Sequence, residues 1–172
     1  MSVEQFVGVP EDIRLGIIGY PGLTYDKVLN NPNRYLSRLK EEPADILCVD
    51  ILTNDLCGKE NPPSAVVQKT KRFLDKLYSE GIRPRQIVLF SVIQRSVISR
   101  PGQVPLSQFN HRAKRYNAML TRALEAGYPY ARMYAQRRIN FLEYLLDGCH
   151  LNQEGIKMYC REIKEVLARY QS

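Results

Sequence analysis

Four short apolar runs, separated by stretches of helical periodicity, constrain the fold of this chain more than any other feature. The first, Ile13 to Tyr20 (IRLGIIGY), stops at Pro21-Gly22 and reads as a buried strand followed by a turn. Ala44 to Leu52 (ADILCVDIL) and Gln86 to Ile93 (QIVLFSVI) read as the second and third strands, and Tyr130 to Tyr134, extending toward Ile139, as a weaker fourth. The intervals have a different period. Tyr25 to Lys40 carries Val28, Leu29, Leu36 and Leu39 but is interrupted by Asn30-Asn31-Pro32, which predicts an irregular start and then a helix. Ala65 to Ser79 spaces Val66, Val67, Thr70, Phe73, Leu74 and Leu77 at helical intervals. Pro101 to Asn110 reads as an exposed loop. Ala113 to Ala126 is helical again, with Tyr116, Met119, Leu120, Ala123 and Leu124 on one side and Gly127 past its end. Asn152 can cap a last helix to Tyr170, whose inner face holds Ile156, Tyr159, Cys160, Ile163, Val166 and Leu167. Strands that alternate with helices imply a mostly parallel sheet covered on both faces, a three-layer α/β/α sandwich. Function in such sheets gathers at the carboxyl ends of the strands.

The 172 residues suit one domain spanning 1–172. No stretch approaches the roughly 20 apolar residues that span a bilayer, and the acidic N-terminal segment has no basic-then-apolar leader pattern, so the cytosol or nucleus is expected. Cys48, Cys57, Cys149 and Cys160 form no C-x-x-C pair, which reads as reduced, buried thiols and not as a zinc or redox motif. The net charge of +7 is unevenly placed. Between Arg83 and Arg138 stand eleven basic residues against one acid, Glu125. Arg95, Arg100, Arg112, Lys114, Arg115, Arg137 and Arg138 are therefore the candidate face for nucleic acid or another polyanion; a merely solvated basic face is the alternative.

Three sequences stand at the expected strand ends: Gly19 to Thr24, Thr53 to Leu56 and Asp147 to Asn152. The Asp-x-x-His spacing of Asp147 and His150 carries the most chemistry. A carboxylate three residues before an imidazole can accept the Nδ1–H hydrogen bond and leave Nε2 facing a nucleophile.

In the order of these blocks the chain resembles the SGNH, or GDSL, hydrolase family. Gly22-Leu23-Thr24 is similar to its second block, Leu52-Thr53-Asn54-Asp55 to its Gly-x-Asn-Asp block without the leading glycine, and Asp147 to Gly155 to its Asp-x-x-His block. The resemblance covers about residues 13–172 and implies a flavodoxin-like fold that hydrolyses acyl esters without metal or organic cofactor. It assigns Asp147 as orienting carboxylate, His150 as general base, and Gly22 and Asn54 as oxyanion donors. The block spacing resembles, more loosely, the esterase-like domains of animal mobile elements.

Family members open with a strand ending in Gly-Asp-Ser or a variant, and its serine attacks the acyl carbon. That first block has no counterpart here. The one serine upstream, Ser2, follows only Met1 and is the sole remaining candidate. Two readings stay open: truncation of a longer chain, or a domain that abandoned hydrolysis and kept the scaffold. Either way the sheet is expected to lack its first strand and this chain to be weakly active or inactive. The competing reading is a non-catalytic module that binds polyanions through the arginine-rich segment.

Overall fold

The structure is a computed structural model that describes residues 13–51, 53–97, 103–139 and 142–170. Its elements run α1 (Tyr25–Asn30), α2 (Pro32–Glu41), β1 (Ile46–Val49), α3 (Thr53–Cys57), α4 (Pro63–Ser79), β2 (Gln86–Phe90), α5 (Leu106–Gly127), β3 (Ala131–Tyr134), a 3-10 turn (Leu142–Tyr144) and α6 (Gln153–Tyr170). The three strands form one parallel sheet in the order β1-β2-β3. The strand and helix alternation thus produces an α/β fold with helices on both sides of a parallel sheet, as the apolar pattern requires.

Successive side chains of a strand point to opposite faces, and the two faces have separate cores. On one side Val49, Ile87, Leu89 and Ala131 pack with Tyr25, Val66, Phe73, Leu74, Tyr116 and Leu120 from α1, α4 and α5. On the other, Val88 and Phe90 meet Val166, Tyr159 and Ile163 of α6. Helices α4 and α5 are further joined inside the first core by Thr70 Oγ1 and Tyr116 Oη, 2.8 Å apart. No helix is long and apolar enough to cross a membrane among the described residues.

Three element boundaries differ from expectation. Asn30-Asn31-Pro32 does not make the start of its helix irregular; it splits one helix into two. Thr24 caps α1 by accepting the Lys27 N–H, and Pro32, which lacks an N–H, ends that helix and opens α2 at a position where none is needed. The loop expected over 101–110 is helical from Leu106, because Pro105 stands just ahead of the first turn instead of breaking it.

The largest correction concerns Ile13 to Tyr20. This run has no regular secondary structure, and Ile17 (56%) and Ile18 (37%) stay exposed. An apolar run becomes a strand only when a neighbour completes its ladder. Gln86 N–H donates to Asp45 O, so in the parallel register Leu47 and Val49 turn their backbone groups toward β2 and Ile46 and Cys48 turn theirs outward. Among the described residues no strand lies on that outer side. The run packs instead along α2, through Tyr20 edge-on to Tyr35 and an exposed Arg14–Glu42 pair.

Candidate active site

Asp147 and His150 lie in the turn between Leu146 and Leu151, where chain geometry holds them together. Gly148 has φ +78°, and a Cβ placed there would come within 2.7 Å of Val97 Cγ2. Both the left-handed backbone and the close approach require glycine. Gly148 O in turn accepts the N–H groups of Ser96 and Val97, which fixes the turn to the segment leaving β2. Beyond it Asn152 caps α6 as expected, accepting the Gly155 N–H at 2.9 Å and donating to Glu143 O at 2.7 Å. Gly155 fits because a Cβ would stand 2.5 Å from Tyr144 O.

Within this turn Asp147 Oδ2 is 2.7 Å from His150 Nδ1, while Oδ1 accepts the N–H groups of His150 at 2.7 Å and Cys149 at 2.9 Å. The His150 side-chain bond, followed by those two amides, holds the Asp147 carboxyl well below the usual carboxylate range. Asp147 therefore stays ionised as an acceptor, and Nδ1 carries the proton it receives. The imidazole is 77% exposed, so Nε2 faces solvent. Among the described residues, the His150 ring has Asp147 as its hydrogen-bond partner, and the His150 carbonyl accepts the Leu146 N–H.

The second cluster joins Gly22 to Asn54. Gly22 turns at φ +63°, and its carbonyl accepts Lys27 Nζ. Asn54 Nδ2 donates to Leu23 O at 3.1 Å, and the neighbouring Asp55 accepts the Tyr25 N–H at 3.1 and 3.3 Å. Adjacent residues of α3 thus grip the two ends of the turn that leads into α1. Asp55 is 1% exposed, and this burial pushes its carboxyl up to about 6 against the lowering effects of the Tyr25 bond and nearby Lys69.

Asn54 follows the carboxyl end of β1, Gly22 precedes α1, and Asp147 and His150 precede α6. The two clusters are linked through the protein: Arg95 Nη1 lies 3.3 Å from Cys57 Sγ at the end of α3, and the next residue, Ser96, donates to Gly148 O. By contrast, a cavity of about 310 Å³ sits at the amino ends of β1 and β2, lined by Leu39, Leu47, Ile82 and Pro84, where Lys40 and Lys76 pair with Glu80. It is remote from the catalytic candidates.

The other assignments fare differently. Ser2 and Arg100 lie outside the described residues. Ser91 is buried after β2, where its Oγ accepts the Gln136 N–H. Cys57 is buried, whereas Cys48, Cys149 and Cys160 are partly exposed. The arginine-rich face is corrected at two positions. Arg95 is 8% exposed, and Arg112 donates to the carbonyls of Gly58, Lys59 and Asn61, a clamp on the α3–α4 connection. Composition counts charges without showing which ones pack inward. Lys114, Arg115 and Arg137 are exposed, and Arg138 pairs with Glu165. Asp55 is the residue to which sequence reasoning gave no role, although it stood beside Asn54 at a strand end; Arg95 was expected on a basic face and is buried instead.

No family model matches the chain, and no curated protein matches it. Its fold is similar to a solved structure from Bacteroides fragilis described as a "putative acylhydrolase". The TM-score is 0.67 at 12% sequence identity, covering 88% of this chain and 73% of that one. The likeness is one of fold, an α/β architecture built on a parallel sheet.

Proposed function

We propose that this domain is an acyl-ester hydrolase scaffold of the SGNH type that keeps the base and oxyanion half of the site. His150 acts as general base, Asp147 orients it, and the Gly22 amide and Asn54 side chain receive the developing oxyanion. The observation that carries the reading is the Asp147–His150 pair. One carboxylate oxygen is locked by two backbone amides and the other aims the imidazole, leaving Nε2 open to a reacting group. A surface Asp–His contact without such a lock would have no catalytic orientation.

Chemistry in this family begins with a serine, and residues 13–170 offer none at hydrogen-bonding distance from His150 among those described. The substrate class is a small acyl ester, and the chain by itself is at most a weak catalyst, since loss of a triad nucleophile removes orders of magnitude of rate. A p-nitrophenyl acetate assay on the purified chain beside His150→Ala tests the proposal. A slow rate that falls in the variant supports it, and equal rates remove His150 from any catalytic role. Polyanion binding, the competing reading, retains Lys114, Arg115 and Arg137 as its exposed cations, and loses Arg95 and Arg112.

A further inference from the structure

Arg95 is a buried cation. It is 8% exposed, and no carboxylate lies within ion-pair distance of it among the described residues. Its contacts are an aromatic ring and a sulfur atom. The guanidinium stacks over the Phe109 ring at 4.9 Å, Nη1 touches Cys57 Sγ, and Nε is buried with no hydrogen-bond partner. Leaving a charge and an N–H unmatched in the interior costs several kcal/mol in general, which makes the arrangement unstable unless something offsets it. Nor is the residue loosely held. Asn110 clamps its backbone from both sides, Oδ1 accepting the Arg95 N–H at 2.9 Å and Nδ2 donating to Arg95 O at 3.0 Å.

Its location gives the charge a purpose. Cys57 follows Asn54 by three residues on α3, and Ser96 anchors Gly148 between Asp147 and His150. Arg95 therefore sits on the structural bridge between the two halves of the candidate site. A second unmatched group belongs to the same cluster: Gln103 Oε1 is buried without a partner, in a residue paired with Gly58 next to Cys57. Turned over, that amide would present Nε2 to an acceptor, and such flips are decided by the partner present.

We propose that Arg95 is a carboxylate-binding group of this site, so that the ligands the domain takes are acyl esters that also carry a carboxylate. The proposal rests on the esterase reading for the word ester, and on Arg95 alone for the carboxylate. A guanidinium fork matches a carboxylate in two parallel hydrogen bonds, and Nε is the donor that lacks a partner for one of them.

The test separates the two. Sodium acetate is titrated into the whole chain at constant ionic strength, with sodium chloride making up the difference, while amide NMR signals and the melting temperature are followed. Acetate should raise the melting temperature and shift the Arg95, Ser96 and Gly148 amides, equally in wild type and His150→Ala. Arg95→Met should abolish the response. Arg95→Lys, which keeps the charge and the fold but loses the fork, should weaken acetate binding by about tenfold. Equal responses to acetate and chloride, or an undiminished response in Arg95→Lys and Arg95→Met, overturn the proposal. Failure of the esterase reading shows separately, as equal ester turnover in wild type and His150→Ala with acetate binding intact.

Discussion

At Asp147 and Asp55 two carboxyls are displaced in opposite directions, and the sign of each follows from its surroundings. Asp147 gains hydrogen bonds to its charged form, so its stabilising contribution is present above its unfolded value and is lost as pH falls through the acid range. Asp55 loses water without full compensation, and its folded value near 6 lies above the unfolded value near 3.8. The folded state then binds more protons than the unfolded one between those values. Stability from this residue is greatest below about pH 4 and declines as pH rises to about 6, by as much as about 3 kcal/mol. Melting curves across that window should show the decline in wild type and a flatter profile in Asp55→Asn; parallel profiles would show that Asp55 is not buried as described. At Gly148 the constraint is steric. Gly148→Ala should cost about 2–3 kcal/mol in urea titrations and move the His150 amide signal, because φ +78° and the Val97 contact both oppose a side chain.

Helix ends, more than helix interiors, position the candidate site. The turn carrying Gly22 is held by the Thr24 and Asp55 caps on α1, and the turn carrying His150 by Asn152 at the start of α6. Asn152 was legible in sequence because capping is a local rule: a short acceptor side chain precedes a periodic apolar face. The Asp55 cap was not, since its partner Tyr25 is thirty residues away. Replacing Asn152 by Ala removes one accepted and one donated hydrogen bond, and should lower stability by about 1–2 kcal/mol. A loss near zero would mean the two bonds are not formed in solution. The same locality explains the misplaced start of α5. Pro105 is a breaker inside a helix and a tolerated residue at its mouth, and only the path of the chain distinguishes the two.

Among the described residues the molecule is a parallel sheet with one core on each face and an outer edge at β1. Parallel sheets are ordinarily buried on both faces and bounded with care, because an unpaired edge exposes backbone donors and acceptors. Here the residues that face outward are Ile46 and Cys48. Hydrogen exchange should distinguish them from their neighbours: the amides of Leu47 and Val49, directed at β2, should exchange slowly, and those of Ile46 and Cys48 much faster. Uniform protection along β1 would mean that the outer edge is covered in solution.

Pattern and local chemistry carried the reading a long way. Apolar period separated strands from helices, and the spacing of Asp147 and His150 brought two side chains into one turn, since three residues of backbone span a hydrogen bond. Neither burial of a particular charge nor pairing of a particular strand can be read that way. The run at Ile13 to Tyr20 is as apolar as the strands, yet it stays irregular because its ladder depends on a neighbour that local sequence does not supply. Arg95 is one arginine among many in composition, and became a buried cation only when α3, the β2 exit and α5 closed around it.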